Sequence, residues 1–561
     1  VADQEALSSL AGNKGPTPAE DPAGRFAPVE VIKDAPVATK VPWDTATVET
    51  PLRWRELLAI VLIVALCDVT IFRGLGFAGY ALLFCLAPGL LWLGSPRPRL
   101  HASFWAVGAM LLLLAVRLAW LGEAWEVAVG FALIAALALA LAGHVPHVLD
   151  VLACVVRTPV AGYLGLTHYE RSARGLRLGA PRIPWLNVVL PLAAIGLFGT
   201  LFVLANPDLV KTCLDLANRF FRWLGDWLGR FAPTWWELVF WIAATWTTIG
   251  LLRPVWRHSM LSTFSKDGPR PDALGPTETP LYAALRNTLA AVIGLFAVYL
   301  GFEFKTLWFR EFPQGFYYAG YAHEGAAWLT VALLLATVVL SLIFRGPVLG
   351  DPRLPRLRRL AWLWSLENLV LALAVYNRLH IYIGFNGMTR MRTIGLFGMS
   401  AVAVGFILVV WKIAYSRDFV WLLRRHLWTL AAAVYLYALT PVDTLVHTYN
   451  VSRVLGGQLA PSVQIITHPV NAEGILVLHP LVHCDDPIIR EGIRALLAEH
   501  AVRGESLAHQ REQQGWTTFQ LADRLLLQKL HALQADWAPY ADPTKRAEAL
   551  GRFHKYAYQW Y

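Results

Sequence analysis

Charged and hydrogen-bonding side chains are scarce in this 561-residue chain, and their placement limits the chemistry it can do. The densest group lies in Leu360–Arg392, LAWLWSLENLVLALAVYNRLHIYIGFNGMTRMR. Leu360–Val375 is apolar enough to enter a bilayer, and Tyr376–Arg392 then brings Arg378, Tyr382, Asn386, Thr389, Arg390 and Arg392 to its end. Lys305–Gly325 adds Arg310, Glu311, Tyr321, His323 and Glu324, and a later segment adds Asp443, Asn450 and Arg453. Arginine grips carboxylates and phosphates through a planar fork. Two uses are open: a polar cap that orders helix ends, or a site for an anionic ligand or lipid. In an enzyme, Glu324 or Asp443 would be the base and Arg378 or Arg390 would hold a phosphate of a lipid-linked substrate. No catalytic residue is assigned, because no nucleophile stands with a base. GxxxxGK[ST] and GxSxG patterns are absent, which disfavours nucleotide and serine-type hydrolysis.

Ionisable residues inside apolar runs are a second group: Asp68, Arg117, Glu237, Arg286, Glu367 and Asp443. Arg286 and Glu367 each fall a turn or two into a span from the same side and are expected to form an inner-side pair. None sits at mid-span, where a proton-coupled transporter would place its carboxylates, and no internal repeat is visible. His479 and His483 are spaced as zinc tolerates, but Pro480 limits helix there and no HExxH accompanies them. The expectation is no metal and no cofactor, with these two histidines the only candidates. Cys213 and Cys484 would pair only if both met an oxidising compartment.

The elements that position these groups follow from composition. The chain is 56% hydrophobic and 16% charged, with 24 Trp and a mean hydropathy of +0.46. Runs of 18–22 apolar residues suit about 30 Å of hydrocarbon. The predicted fold is an all-α polytopic transmembrane bundle of about eleven spans, with a small helical C-terminal domain. The spans are Leu57–Phe72, Gly76–Leu93, Ala102–Leu121, Trp125–Ala142, Trp185–Ala205, Trp235–Leu252, Leu281–Phe302, Ala326–Phe344, Leu360–Tyr376, Ile394–Tyr415 and Leu427–His447. Residues 1–52 read as a disordered cytoplasmic tail without a signal-peptide core. Residues 53–453 form the membrane domain and 454–561 the C-terminal domain. Leu209–Phe231 is an amphipathic helix expected in the interface.

The net charge of +10 is assigned to loops against headgroups rather than to nucleic acid. Lysine and arginine favour one set of loops by roughly two to one, which puts the N-terminus in the cytoplasm. An odd span count then puts the C-terminal domain outside.

Pro313-Gln314-Gly315 with Tyr321-Ala322-His323-Glu324-Gly325, then Tyr376-Asn377-Arg378 through Tyr382 to Gly387-Met388-Thr389-Arg390-Met391-Arg392, then Asp443, Tyr449-Asn450 and Arg453 carry a resemblance. Across Leu281–Arg453 the order and spacing resemble the bacterial integral-membrane families named domain of unknown function 4153 and 4173, although Met388 stands where those families usually have Leu or Phe. The resemblance implies a multi-pass envelope protein of the inner membrane and supplies no reaction. The expected role is a non-enzymatic scaffold, sensor or assembly component whose outer polar cluster holds a protein, a lipid or its own C-terminal domain. Membrane lipids and an envelope protein are the expected partners. A transporter or lipid flippase, and an envelope enzyme, are the alternatives.

Overall fold

In hydrocarbon a backbone amide has no water to bond, so a long apolar run must satisfy its own N–H and C=O groups as a helix. The computed structural model describes residues 50–175, 190–197, 207–231, 233–255, 278–308, 318–344, 348, 350–415, 417 and 419–560, and all regular structure among them is helical. The expected tail lies outside the described residues, apart from its last few.

The first half is built from α1 (Trp54–Cys67), α2 (Phe77–Gly94), α3 (Ala102–Leu121), α4 (Ala124–Leu141), α5 (Val148–Gly175), α6 (Pro207–Phe231) and α7 (Trp235–Leu252). The second half has α8 (Tyr282–Glu303), α9 (Tyr318–Ile343), α10 (Leu354–Asn386), α11 (Arg390–Tyr415) and α12 (Phe419–Leu439). Seven described helices are long and apolar enough to cross a membrane, or up to eight with one bent pair. Among the described residues this is fewer than the expected count of about eleven. Most of Trp185–Ala205 lies outside the described residues. Leu57–Phe72 falls on the 14-residue α1 and the π-turn Asp68–Phe72 that follows it.

The expected span Leu427–His447 is not one helix. It breaks between α12 and α13 (Val442–Leu455), which lie 67° apart. Pro441 sits at the break and has no N–H to continue the helix. Asp443 and His447 consequently belong to a second helix, bent 67° from α12.

Each half of the bundle is held by a large apolar core. In the first half Phe84, Leu111, Leu114, Leu118 and Leu137 are fully buried, and Gly130 leaves space that the Phe84 ring fills. In the second half Leu289, Leu340, Leu357 and Trp364 do the same. The outward faces are apolar and exposed, as at Leu113, Val116, Leu295 and Val298. Such faces belong against lipid. α6 is amphipathic as expected, and Leu214, Phe221 and Trp223 on it are exposed rather than packed on the chain.

α10 runs for 33 residues, about 50 Å against about 30 Å of hydrocarbon. Its end therefore projects past the apolar layer. There the C-terminal helices sit: α14 (Ser462–Ile466), α15 (Ala472–Leu478), α16 (Pro487–Gln514), α17 (Leu521–Ala532), α18 (Gln534–Trp537) and α19 (Pro543–Ala557). Their core contains Ile489, Ile493, Leu497 and Phe553, takes Val451 and Val454 from α13, and packs on Trp120 and Leu121 of α3. Gly492 lets the Phe553 ring approach α16. We call this end of the bundle the cap end.

Candidate functional site

The turn from α10 to α11 is the centre of the cap end. Gly387 ends α10 with φ +84°, a conformation glycine adopts without a side-chain clash. A Cβ there would lie 2.6 Å from Asn450 Oδ1 and 2.8 Å from Pro461 Cβ. Asn450 is completely buried. Its Oδ1 accepts from Met388 N at 2.7 Å, and its Nδ2 donates to Met388 O at 2.9 Å, as a neighbouring strand would. Thr389 caps α11 by accepting from Arg392 N. Arg392 donates to Gly387 O and lies over the Tyr382 ring at 3.8 Å. Arg453 donates to Gly384 O at 2.9 Å. Tyr382, Thr389, Arg392, Asn450 and Arg453 thus converge and hold this turn on α13.

Beside them Arg390 forms a fork with Asp443. Nη2 donates to Oδ2 at 2.6 Å, and Nε donates to Oδ1. Asp443 is 2% exposed, and its Oδ2 also accepts from Asn471 N at 3.0 Å. Glu123 approaches Arg390 at 3.9 Å. Next to this pair Arg117 of α3 meets Glu473 of α15 and, at 3.4 Å, Glu126 of α4. Burial pushes the Glu473 carboxyl upward, and Arg117 draws it back.

Asn386 Nδ2 donates to Trp560 O at 2.9 Å. Gln520 accepts from Gly122 N at 2.6 Å and donates to Leu118 O at 3.1 Å. Leu75 N donates to Thr517 Oγ1 at 3.1 Å. The ends of α3 and α10 and the chain just before α2 are thereby bonded to the C-terminal segment.

A cavity of about 550 Å³ opens beside the Arg390–Asp443 pair. Trp125, Tyr437, Met388, Met391, Ile394 and Val446 form its apolar wall; His447, Gln464 and His468 add polar groups. His447 is 3% exposed, and its Nδ1 has no hydrogen-bond partner among the described residues.

Arg378 faces elsewhere. Its Nε and Nη2 donate to Glu303 of α8 at 2.7 and 2.5 Å, and Tyr299 Oη donates to the same carboxylate at 2.9 Å. Gly325 of α9 leaves room for this guanidinium. The expected single polar cluster is therefore divided between the Arg378–Glu303 pair and the group gathered at the α10–α11 turn. Tyr321 and Glu324 belong to α9, but their side chains lie outside those described, as do residues 309–317.

The expected inner-side pair does not form. Arg286 donates to Asn287 Oδ1 at 3.2 and 3.0 Å, and no ion pair joins it to Glu367. One Glu367 oxygen is buried without a hydrogen-bond partner. His479 and His483 flank a 3₁₀ segment, whose three-residue turn does not align positions four apart. Among the described residues no group of three or more His, Cys, Asp or Glu could hold a metal ion. Cys484 is a buried free thiol, and the Cys213 side chain lies outside those described.

Sequence reading missed most of the partner carboxylates. Glu303 is the last residue of α8 and Glu126 lies in the first turn of α4. Glu56, in the first turn of α1, receives Arg253 Nε and Nη2 at 2.6 and 2.8 Å, with both residues buried. Arg73 bridges Asp68 at 2.9 Å and Glu237 at 3.0 Å. The available signal was position: each of these groups lies within a turn of a helix end.

The family model described as "Domain of unknown function (DUF4153)" matches residues 82–478, well over half of the chain. The chain belongs to the DUF4153 family. The matched part starts within α2 and ends with α15, so it contains both Arg390–Asp443 and Arg117–Glu473, whereas α16–α19 lie beyond it. It is wider than Leu281–Arg453, which carries the motifs. No curated protein and no solved structure matches this DUF4153 chain.

Proposed function

We propose that this DUF4153 protein is a non-enzymatic scaffold, sensor or assembly component of the bacterial inner membrane. In this reading its rim latches the C-terminal helices as an extracytoplasmic cap. One observation carries the proposal: the buried pairing of Arg117 with Glu473, a bundle helix to a cap helix. Among the described candidates, Asp443 and Arg390 are engaged with each other. Asp443 Oδ1 receives Arg390, and Oδ2 receives both Arg390 and Asn471 N, which disfavours it as a free base. The 550 Å³ cavity is lined at the rim, and neither Arg286 nor Glu367 borders it, which weighs against a transport path through them.

The test is hydrogen exchange on the protein in nanodiscs, comparing wild type with Glu473→Gln. Faster exchange confined to Pro487–Ala557, with bundle helices unchanged, supports the latch. Unchanged exchange there defeats it. Turnover of ATP, an ester or a lipid-linked phosphate by the purified protein would overturn the non-enzymatic reading. Reporter fusions near Gly457 test the side of the cap.

A further inference from the structure

A second and larger cavity, about 790 Å³, lies where the cap meets the membrane boundary. Its floor includes Leu121, the last residue of α3, and its walls come from α16, α17 and the Trp516–Gln520 segment. That segment sits against the start of α2: a Cβ on Gly76 would meet Thr517 O at 2.6 Å. The cavity therefore opens at the level where helices leave hydrocarbon. Trp516 and Phe519 on its wall are 52% and 42% exposed, and large aromatics at that depth belong among lipid headgroups.

Three guanidinium groups line the space. Arg511 is paired with Asp523. Arg503 and Arg524 are exposed and have no ion pair or side-chain hydrogen bond among the described residues. Glu512 stands in the same lining without an ion pair among the described residues. Two free guanidiniums suit a phosphodiester, one free carboxylate suits an ammonium, and the apolar floor suits the first methylenes of acyl chains. The volume lies within the usual range for small-molecule sites.

We infer that this cavity binds the headgroup of a glycerophospholipid that carries both a phosphodiester and a primary ammonium. Arg503 and Arg524 hold the phosphate, and Glu512 faces the ammonium. The inference needs the bundle to sit in a bilayer and does not depend on the function proposed above.

Native mass spectrometry of the delipidated full chain in detergent tests it, with dioctanoyl phosphatidylethanolamine as the probe. The expected result is one retained lipid per chain. Dioctanoyl phosphatidylglycerol should bind more weakly, and dioctanoylglycerol and inorganic phosphate at least about tenfold more weakly. Arg503→Gln with Arg524→Gln should weaken binding about tenfold or more. Glu512→Gln should abolish the preference for ethanolamine over glycerol. Ala508→Phe, which narrows the cavity without removing charge, should also lose the lipid. Thermal melting identifies any variant that fails to fold. Equal binding of dioctanoylglycerol, inorganic phosphate or the glycerol headgroup would overturn the assignment, as would unchanged binding by the folded double-arginine variant.

Discussion

Arg117 and Glu473 lie 356 positions apart in the chain and share a buried ion pair. One belongs to a membrane helix and the other to the cap, so neither could be placed in water without separating the two layers. Breaking a buried pair by removing one partner typically costs about 3–5 kcal/mol. Arg117→Met should lower stability by about that amount in denaturant or thermal unfolding in detergent. Glu473→Leu should also destabilise, and the two losses should be non-additive by about 0.5–3 kcal/mol. Additive losses would show that the contact has no energetic coupling.

Gly387 gives a sharper local test. Its φ of +84° and the nearness of Asn450 and Pro461 leave no room for a methyl group. Gly387→Ala should destabilise by at least about 1 kcal/mol. Gly384→Ala, where nothing lies within 4 Å of an added Cβ, should cost much less. Equal melting temperatures for the two variants would remove the structural role assigned to this turn.

Asn450 is both donor and acceptor to Met388. Asn450→Leu leaves a buried N–H and C=O without partners, at about 1–3 kcal/mol for each unsatisfied group. Asn450→Asp keeps an acceptor for Met388 N but loses the donor to Met388 O, and buries a carboxylate. Both should lower the unfolding midpoint. Hydrogen exchange at Met388 should rise selectively, and unchanged protection there would contradict the bonding described.

The cap should loosen in acid. Burial holds His468, His479 and His500 below the ordinary imidazole value of 6.5, helped by Arg392 at His468, Lys529 and His483 at His479, and Arg503 at His500. Below about pH 6.5 the unfolded chain binds more protons than the folded one. Stability is therefore lost as pH falls from 6.5 toward the lowered folded values. Glu473 acts oppositely, since its raised carboxyl contributes stability that is lost as pH rises from 4.5 toward its folded value. With three imidazoles against one carboxyl, the melting temperature should fall between pH 7.5 and 5.5. His500→Gln should flatten that slope, and a slope unchanged in this variant would exclude His500 as a contributor.

Much of this fold was legible because the chain leaves lipid-facing helices few alternatives. Long apolar runs gave the all-helical membrane class, and the turn on which Thr389, Arg392, Asn450 and Arg453 converge lies where the polar residues are densest. Depth along a helix was readable, but direction around it was not. Arg286 and Glu367 fall at similar depth yet do not pair, and Arg378 turns to Glu303 rather than toward Arg390. Pro441 was hidden inside an apolar window, so a bent pair read as one span. Glu56, Glu303 and Glu473 lie where a one-dimensional reading assigns solvent. Packing of distant helix ends makes them buried partners instead.

The bend at Pro441 also bears on sidedness. α12 has 21 residues, about 31 Å of helix, and counts as an apolar span only together with α13. No later helix among the described residues belongs to a further candidate span once α13 has turned by 67°. Every cap residue should therefore share one compartment, whatever the parity of crossings upstream. A single impermeant thiol label at Gly457→Cys would report the address of Glu473, Arg503 and Trp516 together.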